Sequence, residues 1–167
     1  MKQKTLVVLK PDTIGRGLVG EVLMRFERVG LKICGIKMVQ PDKDFYFHHY
    51  ETIGKMISRR GQKAFDMTLD YMNVGPVVAI VLEGVESVKL MRKMVGATQS
   101  SEAAPGTIRG DYSHMSFDYA DVINQGLPNM IHASGDPEEA ALEIAHWFKP
   151  EELFEYDLCN KPFIFGQ

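Results

Sequence analysis

Several features that would assign a function class at once are missing from this chain. It has no Gly-x-x-x-x-Gly-Lys-Ser/Thr string and no Gly-x-Gly-x-x-Gly after a strand, so neither a P-loop nor a Rossmann nucleotide site is supported. Only two cysteines occur. Cys34 in an apolar run and Cys159 near the end lack CxxC spacing, which excludes a disulfide framework or a zinc site between them and leaves two reduced thiols expected. The formal net charge is -3, with no basic tail or stripe, so nucleic acid is not expected as a partner. No apolar run is long enough to span a bilayer or to serve as a signal peptide, since Lys10 already interrupts Thr5–Leu9. A cytoplasmic protein without a membrane partner is expected.

What remains is 167 residues of ordinary composition, the size of one domain with a substantial core, and we read 1–167 as a single domain. Thr5–Leu9 is β-branched-rich and stops at Lys10-Pro11-Asp12, which reads as a buried strand ending in a turn. Val19, Val22, Leu23, Phe26 and Val29 recur at helical spacing before Gly30. A second strand is expected over Leu31–Val39 and a helical stretch through Phe45, His49, Tyr50 and Ile53. Ala64–Met72 reads as a short helix, Asn73–Pro76 as a turn, and Val77–Leu82 as a central strand. Val85–Val95 is amphipathic and ends at Gly96. Regular periodicity is then lost until Pro128, a connection long enough to be functional. Asn129–Ala133 is short enough for a strand. The helix after it carries its own start signal: Asp136 at the N-cap, Pro137 at the first position and Glu139 as capping-box acid. The order approximates βαββαβ, so the expected fold is an α/β (α+β) sandwich of ferredoxin-like type, its mainly antiparallel sheet covered by helices.

Candidate chemistry gathers around His132, placed between an apolar strand and a capped helix whose positive end favours an anion. Imidazole is a good nucleophile toward phosphorus and titrates near physiological pH, so a phosphohistidine is chemically reasonable there. Taken alone, a histidine at a strand end is more often structural, and His48, His49, His114 and His146 keep that reading. Glu143 lies about two turns after Asp136, within reach of the far nitrogen of His132, where a carboxylate fixes the tautomer. Lys10 at a strand end, Arg92 on a helix and Arg109 in the long connection can neutralise phosphate charge, with the Thr98 hydroxyl as a further donor. Each of these is weak on its own.

Longer strings are more specific. Leu9-Lys10-Pro11-Asp12 with Arg16–Glu21, Tyr71-Met72-Asn73 with Gly75–Ala79, Gly96-Ala97-Thr98 with Pro105–Asp111, Asn129–Ser134, and Glu143-Ile144 with Trp147-Phe148 together resemble the nucleoside diphosphate kinase family over nearly the whole chain. The resemblance implies His132 as phosphate-accepting nucleophile, with Glu143 orienting it and Ser134 nearby. Lys10, Tyr50, Arg92, Thr98 and Arg109 match the family's active-site and phosphate positions, and Lys10 and Asn129 those that bind the ribose hydroxyl. Ping-pong transfer follows: the γ-phosphoryl of ATP or another nucleoside triphosphate, carried with Mg²⁺ on its phosphates and with no direct protein ligand to the metal, moves to His132 and then to a nucleoside diphosphate. A homo-oligomer, hexamer or tetramer, is also implied.

Two stretches are longer than in shorter members. Extra residues around Arg59–Lys63 leave Phe65 as the candidate base-stacking ring, although alignment back from Tyr71 points to Ala64. The segment 112–127, with Tyr112, Phe117 and Tyr119, lies between Arg109 and His132 and can serve as a lid or a subunit contact. The alternative reading is a non-catalytic nucleotide-binding regulatory module on the same fold, which the full set of matched residues disfavours.

Overall fold

Thr5–Leu9 and Val77–Leu82 are buried without a break, as strands covered on both faces must be. The structure is a computed structural model, and it describes residues 1–165. The two buried runs pair antiparallel as β1 (Lys2–Leu9) and β3 (Val77–Val85), from Lys2 opposite Val85 to Leu9 opposite Val78. β2 (Lys32–Val39) flanks β3 and β4 (Ile131–Ala133) flanks β1, both antiparallel, giving the order β2-β3-β1-β4. The second strand therefore pairs with the third, as a βαββαβ sandwich requires.

Period-two alternation divides the core between the two faces of the sheet. Val7, Leu9, Ile80 and Leu82 pack with Val22 and Phe26 of α2 (Val19–Arg28) and Met91 and Val95 of α6 (Ser87–Val95). Leu6, Val8, Ala79 and Val81 pack on the other side. Their partners are Tyr46 of α3 (Lys43–Phe47), Tyr71 and Met72 of α5 (Gln62–Met72) and Trp147 of α9 (Pro137–Trp147). Among the described residues no helix is long and apolar enough to cross a membrane.

Several expectations are corrected. The Lys10-Pro11-Asp12 turn is the start of α1 (Pro11–Gly15), in which Pro11 takes the first position where a missing N–H costs nothing. The helical stretch through His49 divides: after α3 the chain widens into a π-helix, His48–Ile53, and α4 (Met56–Arg60) precedes α5. The irregular connection contains a 3₁₀ turn, Ser100–Glu102, then α7 (Ile108–Tyr112) and α8 (Phe117–Val122). Each is too short to show periodicity and depends on a side-chain cap: Thr107 Oγ1 accepts from Gly110 N at 3.1 Å and Ser116 Oγ from Tyr119 N at 3.1 Å. The last strand begins only at Ile131, because Met130 adopts a left-handed φ of 71° that no strand tolerates.

The chain returns from α8 to β4 against α5, and Gly126 sets that approach. A Cβ there would lie 2.4 Å from the Met67 carbonyl oxygen and 2.7 Å from Tyr71 Cβ. Gly126→Ala is therefore expected to cost about 1–3 kcal/mol through forced separation of loop and helix, read as a lower denaturant midpoint with an unchanged slope. An unaltered midpoint would show that the loop is not seated on α5.

Candidate active site

β4 is short, but its alternation decides where its chemistry faces. Ile131 and Ala133 enter the core with α2 and α6, so His132 points to the opposite face, beside Val8 in the strand register and toward α9. There His132 Nε2 lies 2.7 Å from Oε1 of Glu143, whose Oε2 accepts from Ser134 Oγ at 2.6 Å. Glu143 is 1 % exposed. Burial pushes its carboxyl up, yet the charge and hydrogen bond of His132, aided by His49 and Ser134, hold it down at about 2. With Nε2 engaged, Nδ1 is the ring nitrogen left for an electrophile.

A cleft of about 370 Å³ opens onto this histidine, and Lys10, Tyr50, Arg92, Thr98, Arg109 and Asn129 also line it. The structure brings these sequence-selected residues together and shows how each is held. Asn129 Oδ1 accepts from Lys10 Nζ at 2.7 Å while its Nδ2 donates to the Thr98 carbonyl at 2.8 Å, so one amide joins the end of β1 to the loop after α6. Arg109 is almost enclosed. Its Nε donates to Asn129 O, Nη1 to Gly96 O and Ala97 O, and Nη2 to Ile131 O at 2.6 Å. Among the described residues this leaves one N–H of Nη2 for a ligand, so Arg109 is a scaffold first and an anion contact second.

Burial and the charge of Arg109 lower Lys10 to about 8, and burial and the charge of Arg92 lower Arg109 to about 10. These cations are crowded and desolvated, which favours an incoming anion. The start of α9 contributes less than its dipole implies. Asp136 Oδ1 accepts from Glu139 N at 2.8 Å, and Glu139 reaches back to Gly135 N at 2.7 Å, one residue before the cap, so carboxylates already occupy that helix end.

Phe65 is not at the site. It is 2 % exposed and packs edge-on against Phe47 with ring centroids 5.6 Å apart, while Ala64, Met67 and Thr68 of α5 line the cleft. Helical rotation separates neighbours by about 100°, so an apolar Phe65 turned to the core leaves Ala64 at the wall. His49 is the residue the sequence left out. It is buried, its Nδ1 accepts from Trp147 Nε1 at 3.1 Å, and its ring meets that of His132 at 4.6 Å and 81°. Its one signal was adjacency to Tyr50, whose hydroxyl is a buried donor without a partner among the described residues.

The arrangement can hold a polyanion at a cationic end and present it to an oriented imidazole. A nucleoside diphosphate kinase family model matches residues 3–153. Nucleoside diphosphate kinase of Pyrococcus furiosus is 46% identical over 154 residues, covering 92% of this chain and 88% of the relative, and that of Borreliella burgdorferi is 42% identical with 92% of each covered. Among solved structures, a transition-state mimic of the Borrelia burgdorferi kinase with bound vanadate and ADP superposes with a TM-score of 0.96 at 38% identity over 99% of this chain and 98% of that one. A halophilic Halobacterium salinarum kinase in complex with CDP gives 0.83 at 32% identity, covering 99% of each chain. With strand order, site geometry and sequence in agreement, the chain belongs to the nucleoside diphosphate kinase family.

Proposed function

We propose that this kinase works by ping-pong transfer through His132. The observation that carries the reading is the Ser134–Glu143–His132 chain at the cationic end of the cleft. Nδ1 attacks the γ-phosphorus of a nucleoside triphosphate; the N–P bond forms as the bond to the β–γ bridging oxygen breaks, and the diphosphate leaves. The Nε2 proton stays shared with Glu143, whose negative charge compensates the positive charge on the phosphorylated ring. A second diphosphate takes the group by the reverse path. Lys10, Arg92, Arg109 and Thr98 neutralise or donate to phosphate oxygens, Tyr50 adds its hydroxyl, and Lys10 with Asn129 takes the ribose hydroxyl.

Mg²⁺ belongs on the nucleotide in this reading. The His/Cys/Asp/Glu groupings among the described residues each include nitrogen or sulfur, unlike the oxygen set a hard cation prefers. Bound to the phosphates, it offsets their charge. A homo-oligomer is part of the proposal, supported by the edge strand β2, where Ile36 and Met38 are exposed. A cytoplasmic setting is supported by two free cysteines.

Incubation with γ-labelled ATP and Mg²⁺ is expected to leave an acid-labile, base-stable label that GDP or CDP removes. Label persisting in His132→Ala would sink the assignment, and label that no diphosphate removes would reduce the activity to autophosphorylation.

Because Lys10 sits at about 8 in the free protein, its charge falls as pH rises through that value, and phosphate binding should weaken with it. KM for a nucleoside diphosphate is expected to rise above about pH 8. Lys10→Arg, still cationic there, should flatten that limb; identical profiles would discount Lys10 as the phosphate cation.

Glu143 is held below its ordinary value, so its contribution to stability is present above about pH 4.5 and is lost as pH falls toward 2. Wild type should lose more stability than Glu143→Gln between pH 5 and 3. Equal losses in denaturant titrations would contradict the coupling to His132.

A further inference from the structure

The cleft has two chemically different ends. One holds His132, Lys10, Arg92 and Arg109. The other lies between α5 and α8, where Ala64, Met67, Thr68, Phe117 and Leu127 form the wall. A nucleotide is itself divided this way, with a charged chain and a flat base whose faces are apolar. Among the described residues lining the cleft the aromatic rings are His49, Tyr50, His132 and Phe117, and the first three are in mutual contact at the phosphate end. α5 offers the base no ring at all.

We propose that Phe117, on the extended segment between the phosphate loop and the histidine strand, is the platform on which the nucleobase stacks. This rests on the phosphoryl-transfer reading for why a nucleotide enters the cleft. Phe117 is half-buried, and one face already carries a planar group: the guanidinium of the exposed Arg60 lies 5.2 Å from its ring centroid. A flat cation held there shows that the face admits a flat partner, and the base takes the guanidinium's place.

The ring is also tied to both neighbouring parts of the site. Phe117 N donates to Gln99 Oε1 at 2.9 Å, next to Thr98 in the phosphate loop, and Ser101 N donates to Met115 O at 3.1 Å. Ala120 anchors α8 in the interior, and Gly126 brings the returning chain onto α5. The longer segment therefore does not only extend the surface. It supplies the ring that Phe65, turned into the core, does not.

Binding measured by calorimetry decides the contact without turnover. Phe117→Leu, which keeps apolar bulk but has no π-face, is expected to bind GDP and CDP about tenfold more weakly than wild type. Phe117→Trp should retain wild-type affinity within about twofold. Ribose 5-diphosphate, which has no base, should bind all three alike. Equal weakening toward the base-free ligand would make Phe117 a merely structural residue, and unchanged GDP affinity in Phe117→Leu would remove it from the base site; either result overturns the proposal. A wild type that binds GDP as expected yet gains no label on His132 would overturn phosphoryl transfer and leave the platform standing.

Discussion

Four donor contacts from one buried guanidinium hold this active site together. Arg109 takes the carbonyls of Gly96 and Ala97 after α6, of Asn129 before β4, and of Ile131 within it. These segments are far apart in the chain and lie outside one another's ladders, so their carbonyls would otherwise be buried without donors. The same contacts place Thr98 and His132 on opposite sides of one cleft. Five N–H groups in a rigid plane suit this task, which a lysine could not reproduce. Positioning comes before charge here, and the charge comes with it.

That charge is kept at some expense to the free protein. Lys10 and Arg109 both sit below their ordinary pKa because burial penalises the cation and neighbouring cations repel it. Glu143 shows the opposite balance, a buried carboxylate held ionised by two histidines and a serine. Positive groups are left under-compensated on the phosphate side, and the one buried negative group is committed to the imidazole. A bound polyphosphate relieves the first without disturbing the second, which is what electrostatic preorganisation requires.

Sheet and site were legible in the chain to different depths. Val77–Leu82 announced a central strand because full burial leaves no polar position, and the Asp136-Pro137 start of α9 was readable from caps alone. His132 alone was not decisive, since nothing local separates a nucleophile from a structural histidine; the surrounding strings identified it. Phe65 misled because residue type carries no information on which side of a helix faces the cleft. His49 was missed because its partners, Trp147 and Glu143, lie 98 and 94 positions away. The helices α7 and α8 escaped because a single turn held by one cap leaves no period to detect.

The two irregular stretches differ in how they answer a change of chain length. The segment from Tyr112 to Leu127 runs over the rim, where an added residue at an exposed point such as Asp118 or Gln125 changes a loop. The π-helix His48–Ile53 has no such freedom. Its wide turn is one residue longer than an α-turn, and that extra residue is what directs both His49 and Tyr50 to the cleft. Deleting one residue there would restore α-helical pitch and swing whatever follows by about 100°, removing two side chains from the site in a single step without altering either of them. Length is therefore as strictly specified at that turn as residue identity is at position 132.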